Sequence, residues 1–377
     1  MKRVRKIIIT LVLVLILFTE NVSAAKVEDT MQAVWIATVY NIDFPYTKDD
    51  AKAQQKEFID RLDQLEALGI NTVIVQVRPK ADALYKSKIN PWSDVLTGVQ
   101  GKDPGYDPMA FMIEEAHSRG MQFHAWLNPY RVTTPGLDVK KLIKTHPARL
   151  NPKWLIKHNN ALYYNPASKE VKKHIVDSVK EIVENYAVDA IVFDDYFYPS
   201  YYPLPKGEDK DGKVANNRRK HVNDLIKQVS EVIKKTKEDV LFGISPGGIW
   251  KNKSDDPTGS DTSGNQSYYS VYADSRAWIK NGWIDYISPQ IYWEIGHKSA
   301  DYETLVKWWS NQVEGTKVQL YISHGIYRDV VAKQIDKQFK INKKYSQVTG
   351  SIYYNLNTLL ANKNCQKKIA KNNGKKF

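Results

Sequence analysis

The chain has 377 residues, of which 42% are hydrophobic and 26% are charged, and these globular proportions exclude wholesale disorder. It carries 55 Lys and Arg residues against 42 Asp and Glu residues, and the net charge of +13 indicates an acidic partner without identifying it. The only cysteine is Cys365, which excludes an intramolecular disulfide and a cysteine-based zinc site.

The first 24 residues differ in composition from the rest of the chain. Basic residues are concentrated within positions 2–6, an apolar run covers 7–18, and the small-residue pattern Val22-Ser23-Ala24 follows. The run is shorter than the ~20 residues that span a bilayer, and no cysteine follows it for lipid attachment. We therefore expect a secretory signal peptide that is cleaved after Ala24, and a mature protein that is secreted and not inserted in the membrane.

From residue 33 onwards, strand-like apolar runs alternate with amphipathic helical patterns. The eight runs cover 33–40, 72–77, 122–127, 190–193, 240–244, 284–291, 318–323 and 351–354. The eight helical patterns cover 52–68, 108–119, 168–186, 217–235, 269–281, 301–312, 331–345 and 356–369. This alternation is typical of parallel βαβ units, and eight units predict an α/β fold, a (β/α)8 TIM barrel as one domain over 25–362. A doubly wound open sheet is the alternative, because periodicity alone does not prove that a barrel closes.

Long connections account for the residues beyond a minimal barrel. The stretches 86–107, 128–166, 199–216 and 251–267 are rich in Pro, Gly and polar residues. Each follows a strand-like run and precedes a helical pattern, so we expect them to be βα loops. In a TIM barrel these loops build the active-site face.

The C-terminal residues 363–377 form a separate compositional segment. Six of these fifteen residues are lysines, and Cys365 lies among them. The composition predicts a mobile, solvated tail. Outside a cell, such a tail is a possible attachment to anionic wall polymers.

Polar and aromatic side chains occur where the predicted strands end, which in a barrel is the functional face. These candidates are Asp43 after the first run, Arg78 after the second, His124, Trp126 and Asn128 on the third, Asp194, Asp195 and Tyr196 after the fourth, and Gln290, Tyr292, Trp293 and Glu294 after the sixth. Amides and carboxylates form hydrogen bonds with hydroxyl groups, and flat aromatic rings stack on the C–H faces of sugars. The set therefore favours a neutral polyhydroxylated ligand.

Other ligand classes lack a matching pattern. The glycine-rich piece 245–248 has neither the lysine nor the spacing of a phosphate-binding loop, and the acidic stretches lack the spacing of an EF-hand. No basic stripe with a nucleic-acid motif occurs, so we expect no nucleic-acid partner. We also expect no metal and no cofactor.

Cleavage of a glycosidic bond usually requires two carboxyl groups, and Asp194, Asp195 and Glu294 are the catalytic candidates. Successive side chains of an extended strand alternate, so one of the two adjacent aspartates should face the barrel centre while the other turns aside or supports it. Like charges this close should raise one of the two pKa values, which suits a general acid.

Several of these candidates also have a purely structural interpretation. His124 precedes the end of its strand and could be a core histidine, and Glu294 could be a solvated loop residue. Arg78 could neutralise a nearby carboxylate, although even that contact would shift a catalytic pKa. Trp126 and Trp293 could be core residues instead of sugar platforms.

The segments AVWIATVYNIDFP, VIVQVRPKADALY, FHAWLNPYRV, AIVFDDYFYP, GISPGGIW and IDYISPQIYWEIG together resemble the glycosyl-hydrolase-like family 10, from about Ala33 to about Asn355. Members of that family include a divisome-associated hydrolase that acts on peptidoglycan strands stripped of their stem peptides. The resemblance implies a barrel that cleaves a glycan, with peptidoglycan as the expected substrate and the cell wall as the expected location. It also implies that Asp194 and Asp195 lie in the active site.

The resemblance leaves the mechanism and the roles open. By analogy with retaining α-galactosidase-type barrels, Asp194 would be the nucleophile and Glu294 the acid/base. By analogy with chitinase-like barrels, an N-acetyl group of the substrate would replace the protein nucleophile. The acidic residues Asp189, Asp194 and Asp195 are similar to the chitinase pattern, but Tyr196 stands where that pattern ends in Glu. A non-catalytic barrel that binds wall polysaccharide is the alternative from another functional class.

Overall fold

The computed structural model describes residues 30–376, and the predicted signal peptide lies outside this range. The apolar runs form strands β1 to β8, which cover Met31–Ile36 (β1), Thr72–Arg78 (β2), Gln122–Leu127 (β3), Ala190–Phe193 (β4), Leu241–Ile244 (β5), the two pieces Tyr286–Ile287 and Gln290–Ile291 (β6), Gln319–His324 (β7) and Val348–Tyr353 (β8). All neighbouring strands of this sheet pair in parallel.

Strand β8 closes the sheet into a barrel, because it lies between β1 and β7 and pairs with both. Strand β8 pairs with β1, where Met31 lies opposite Gly350, and also with β7, where Ile322 lies opposite Ser351. A doubly wound sheet would leave two edges unpaired, and closure removes them. The prediction of a TIM barrel is therefore confirmed, and the open-sheet alternative is wrong.

The helices α1 to α9 surround the barrel. They cover Ala51–Ala67 (α1), Pro108–Ser118 (α2), Lys169–Asn185 (α3), Lys213–Thr236 (α4), Ser275–Lys280 (α5), Tyr302–Val313 (α6), Asp329–Asn342 (α7), Leu356–Ala361 (α8) and Lys363–Asn372 (α9). Short turns of helix in the connections cover Val39–Asn41, Asp94–Thr97, Val139–Lys141, Pro147–Leu150, Pro152–Trp154 and Ser267–Ser270. Side-chain caps begin several of the long helices; the Ser168 side chain, for example, accepts a hydrogen bond from the Val171 backbone N–H of α3.

The helical pattern predicted over 269–281 is interrupted in the structure. Ser267–Ser270 and Ser275–Lys280 are separate helices, and Tyr272 between them has a left-handed backbone with φ 59°. An L residue at positive φ cannot continue an α-helix, and the Asp274 side chain starts α5 by accepting from the Ala277 backbone N–H.

The core has an inner and an outer layer. Inside the barrel, Trp35, Ile74, Val192 and Tyr286 are almost fully buried. A Cβ at Gly243 would lie only 2.0 Å from the Tyr286 ring, so the ring crosses the barrel because β5 has a glycine at this position. The larger outer layer packs the apolar faces of the helices against the outside of the strands.

The C-terminal segment differs from the prediction of a mobile tail. Residues Lys363–Asn372 form α9, and Cys365, Ile369 and Ala370 are buried against the outer core layer. Their spacing places them on one face of the helix, whereas the lysines occupy the other. Burial also raises the pKa of the Cys365 thiol to about 12. Among the described residues, none of the helices has the length and apolar character that crossing a membrane requires.

Candidate active site

A cleft of about 550 Å³ opens at the carboxyl ends of the barrel strands. Residues from the ends of six strands and from the three loops after β1, β3 and β7 line it: Trp35, Val39, Tyr40, Ile42, Gln76, Trp126, Arg131, Thr133, Thr134, Tyr163, Asp194, Asp195, Tyr196, Gln290, Tyr292, Tyr327 and Tyr354. This is the face on which TIM-barrel enzymes carry their active sites.

Asp194 lies at the bottom of the cleft, directly after β4, and only 4% of it is exposed. Its Oδ2 accepts hydrogen bonds from Trp126 Nε1 at 2.9 Å and from Asn128 Nδ2 at 3.1 Å, and its Oδ1 accepts from the Tyr196 backbone N–H at 3.1 Å. Trp126 and Asn128 both come from the end of the neighbouring strand β3. Three donors therefore fix the orientation of this carboxyl group.

Asp195 lines the same cleft beside Asp194, and it is half-buried. Of the two expected positions for the second side chain, Asp195 does not turn aside but lies next to Asp194, because β4 ends at Phe193 and the alternation of an extended strand no longer applies beyond it. Burial, and then the negative charge of Asp195, raise the pKa of Asp194 to about 7. Burial also raises the pKa of Asp195, but a hydrogen bond from Gln290 lowers it. The expected effect of adjacent like charges is therefore present at Asp194, whose pKa the Asp195 charge raises.

One wall of the cleft is cationic and comes from the loop after β3. The Arg131 guanidinium lies 4.3 Å from the centre of the Tyr196 ring, and its charge lowers the pKa values of Asp194 and Asp195. The Arg131 backbone N–H donates to Asn128 Oδ1 at 2.9 Å, so the residue that holds Asp194 also positions Arg131. Of the residues that line the cleft, Arg131 alone is a cation.

Another part of the cleft lining is aromatic. The Tyr292 and Tyr354 rings stack with centroids 5.7 Å apart, and Tyr327 meets both rings edge-on. Tyr40 and Tyr327 are more than half exposed. Exposed, flat rings beside polar groups are suited to stacking on sugar rings.

Glu294, predicted as a catalytic residue, does not line the cleft. Its Oε2 lies 3.3 Å from Arg328 Nη2, so its charge is paired on the loop after β6. Trp293, predicted as a sugar platform, is also absent from the lining and packs against the outer core. Strand β6 ends at Ile291, so Trp293 and Glu294 lie in the connection after it, where the alternation of the strand no longer directs side chains to the cleft.

Arg78 is 1% exposed and does not reach the cleft. A bulge in β2 shifts the register between Gln76 and Arg78, so that Arg78 lies opposite Leu127, whose side chain belongs to the outer layer. Bulges redirect side chains in this way. Its Nη1 donates to the backbone oxygen of Asn128 at 2.6 Å, so Arg78 supports the strand end that holds Asp194.

Asp43 and His124 are fully buried outside the cleft lining. Asp43 Oδ2 accepts from the Ala37 backbone N–H, and its Oδ1 accepts from Asn355 Nδ2 and the Asn357 backbone N–H. Burial raises the Asp43 pKa to about 6.

His124 lies inside the barrel, where its Nδ1 pairs with the Tyr286 hydroxyl at 2.9 Å and burial lowers its pKa to about 4. Both placements are those of structural residues.

The structure thus groups Trp126, Asn128, Tyr196, Gln290 and Tyr292 around the two aspartates. The lining residues not singled out as candidates from the sequence are Trp35, Val39, Tyr40, Ile42, Gln76, Arg131, Thr133, Thr134, Tyr163, Tyr327 and Tyr354. For some of these residues the sequence indicates their position: Arg131 lies in the same segment as Asn128, and Tyr354 ends the eighth run. The sequence holds no such indication for Tyr163, because this residue lies on the β-hairpin of Leu155–His158 and Ala161–Tyr164, inside a stretch predicted as a loop.

A family model described as "Glycosyl hydrolase-like 10" matches residues 30–347. "Glycosyl hydrolase YngK" of Bacillus subtilis is 44% identical over 391 aligned positions, which cover 97% of this chain and 76% of that protein. "Glycosyl hydrolase DigH" of Escherichia coli K12 is 41% identical over 337 positions, which cover 83% of this chain and 76% of that protein.

Solved structures with the same fold share little sequence with this chain. The glycoside hydrolase domain of PgaB (BpsB) from Bordetella bronchiseptica has a TM-score of 0.57 at 12% identity, covering 90% of this chain and 98% of that one. An endo-1,4-beta-mannanase from Rhizomucor miehei has a TM-score of 0.58 at 13% identity, covering 91% and 93%. These similarities concern the fold.

Proposed function

The chain belongs to the glycosyl hydrolase-like family 10, and from this premise we propose that it is a secreted enzyme that cleaves peptidoglycan glycan strands stripped of their stem peptides. The observation that carries the proposal is the pair of adjacent carboxyl groups, Asp194 and Asp195, at the bottom of a cleft lined by tyrosines and one arginine. The N-terminal charge and hydropathy pattern supports secretion.

In this proposal Asp194 is the general acid. Its pKa of about 7 keeps a large fraction of the carboxyl groups protonated at neutral pH, which is the condition for donating a proton to a leaving oxygen. Asp195 is the ionised partner in this proposal, because its negative charge is one of the causes that raise the Asp194 pKa. Two carboxyl groups whose environments separate their pKa values are the usual acid and base of a glycosidase.

The nucleophile in this proposal comes from the substrate. The two carboxyl groups of the cleft come from consecutive residues at the end of one strand, and no third carboxylate lines the cleft in the described part of the chain to act as a nucleophile from elsewhere in the barrel. Peptidoglycan sugars carry N-acetyl groups, and an acetamido oxygen can attack the anomeric carbon in place of a protein carboxylate. Asp195 would stabilise the positive charge that develops on the acetamido group.

The bonds change in two steps. The acetamido oxygen bonds to the anomeric carbon while the glycosidic C–O bond breaks, and the leaving oxygen takes the proton of Asp194. Water then attacks the anomeric carbon while the bond between that carbon and the acetamido oxygen breaks, and the water gives a proton to the Asp194 carboxylate. This restores the acetamido group and the enzyme.

The position of Arg131 in the cleft supports stripped strands as the proposed substrate. In intact peptidoglycan the lactyl group of each muramic acid is joined to the stem peptide by an amide, whereas in stripped strands it ends in a free carboxylate. A guanidinium group beside the catalytic pair is a suitable bidentate partner for that carboxylate.

The test is digestion of intact and stripped strands, with mass spectrometry of the products. The proposal predicts fragments with new reducing ends from stripped strands and far less product from intact ones. De-N-acetylated stripped strands should be resistant, and a thiazoline that mimics the cyclised acetamido group should inhibit. Binding of strands without any product, or equal cleavage of intact and stripped strands, would contradict the proposal.

A further inference from the structure

The solvent faces of α7 and α9 carry lysines at helical spacing. On α7 these are Lys333, Lys337 and Lys340, and on α9 they are Lys367 and Lys371, all exposed. Residues three and four apart lie on one side of a helix, so each set forms a stripe. We refer to these five residues as the lysine face.

Direct contacts hold the two stripes side by side. Lys368 Nζ of α9 donates to the Lys333 backbone oxygen at 2.7 Å and lies 2.8 Å from Asp336 Oδ1 of α7. Cys365 and Ile369 of α9 are buried in the outer core layer. This burial and the contacts of Lys368 together fix the direction in which the exposed lysines project.

The charge of this surface is not balanced locally. Residues 329–344 and 361–376 contain eleven lysines and two aspartates. Within the described residues, Asp336 pairs with Lys368 and Glu303 pairs with Lys344, so the carboxylates nearby do not pair with the lysine face. Like charges four residues apart destabilise a helix, so the stability of the fold does not explain the stripes.

We propose that the lysine face binds a linear polyanion with phosphodiester repeats, of the kind found in bacterial cell envelopes. The inference rests on the proposed function for its extracellular setting. Lysines are compact point charges on flexible stems, which follow a chain of phosphates without reading its side groups. The face carries no aromatic ring on which a nucleic-acid base could stack.

The position of the face relates it to the cleft. Helix α7 begins at Asp329, two residues after the cleft-lining Tyr327, so the α7 stripe starts close to the cleft rim and continues down the side of the barrel. Its 14 residues extend for roughly 21 Å. A polymer bound along this helix would keep the enzyme in the envelope while leaving the cleft free for glycan.

The test measures binding of fluorescently labelled poly(glycerol phosphate) to the mature protein. The charge-reversed variant carries Lys337→Glu, Lys340→Glu and Lys371→Glu. We expect it to bind at least ~10-fold more weakly than wild type, and we expect wild-type binding to weaken strongly between about 50 and 500 mM salt. Should the Glu variant fail to fold by circular dichroism, the same positions changed to Gln replace it.

A matched control carries Lys52→Glu, Lys220→Glu and Lys235→Glu, three exposed lysines on other helices that give the same change in net charge. Wild-type-like binding by this control supports the proposal. Equal loss in the control, unchanged binding by the face variant, or tighter binding of duplex DNA than of the phosphate polymer would overturn it. Both variants should digest soluble stripped strands at the wild-type rate, so a failure of the glycosidase proposal is seen separately.

Discussion

Asp194 is a carboxyl group in surroundings that act on its charge in opposite directions. Burial and the adjacent Asp195 favour the neutral form, whereas the N–H groups of Trp126 and Tyr196 favour the anion. Burial is the largest of these effects, and the resulting pKa of about 7 lies where a general acid is most effective. A small change in the surroundings of this group therefore changes the working pH range of the enzyme.

The first prediction concerns the pH profile of kcat on stripped strands. Asp194 must be protonated to act, so activity should fall as the pH rises through about 7. Asp195 must be ionised, so activity should also fall at acidic pH, where that carboxylate takes up a proton. Initial rates between pH 4 and pH 9 provide the measurement. A rate that stays constant into the alkaline range would exclude Asp194 as the acid.

The second prediction concerns Arg131 and the substrate carboxylate. Arg131→Gln should lower kcat/KM on stripped strands by about 10- to 100-fold, since one charge-assisted hydrogen bond contributes ~1.5–3 kcal/mol. Stripped strands with amidated lactyl groups serve as the matched substrate, on which wild type and variant should perform alike at a pH below the alkaline limb of both profiles. The alkaline limb of the pH profile should also move upward, because the Arg131 charge lowers the Asp194 pKa. An equal loss on both substrates would show that Arg131 does not recognise the carboxylate.

The connections after the strands contain most of the structural features that could not be predicted from the sequence. The hairpin Leu155–His158 and Ala161–Tyr164 lies within a stretch predicted as a loop, and it places Tyr163 in the cleft. Its turn residues Asn159 and Asn160 have φ values of 44° and 58°, a conformation that asparagine tolerates. Its strands are only four residues long, too short for alternation to be distinguished from a loop.

Asp43 joins the loop after β1 to the loop after β8. Asp43→Ala should lower the free energy of unfolding by about 2–4 kcal/mol, because the Ala37 and Asn357 backbone N–H groups lose their acceptor inside the protein. Asp43→Asn keeps one acceptor oxygen and should cost less. Urea denaturation of both variants gives the values. Equal stability of wild type and Asp43→Ala would contradict the role of Asp43 as a link between the loops.

The packing of helix α9 against the barrel can be tested against the alternative of a mobile tail. Ile369→Ala removes a fully buried side chain and should cost about 2–4 kcal/mol of unfolding free energy. Asn364→Ala, on the exposed side of the same helix, should stay within about 0.5 kcal/mol of wild type. Thermal or urea unfolding compares the two, and similar small effects at both positions would argue that the segment does not pack.

For the whole molecule, the sequence predicts the barrel because each repeat carries its own signal. Apolar runs such as Thr72–Arg78 and capped helices such as Lys169–Asn185 are local features, and eight alternations leave few possible architectures. The aspartate pair was also predictable, since it follows an apolar strand directly.

The positions of Glu294, Arg78 and the α9 lysines were not predictable in the same way. Each depends on a few residues of backbone geometry: the end of β6, the bulge in β2, and the packing of Cys365 and Ile369. When the register or the last residue of a strand shifts by one position, a side chain turns to the other face of the sheet. The amino-acid composition does not predict such a shift.

The catalytic role of the Asp194–Asp195 pair is tested most directly by measuring the turnover of stripped strands by Asp194→Asn and Asp195→Asn. Glu294→Gln is the matched control. We predict that each aspartate variant remains folded and loses about 100- to 10,000-fold in kcat, the usual contribution of an acid–base group. Glu294→Gln should retain most of the wild-type turnover, because its carboxylate pairs with Arg328 outside the cleft. Wild-type rates in both aspartate variants, or a comparable loss in Glu294→Gln, would contradict the assignment of the chemistry to the Asp194–Asp195 pair.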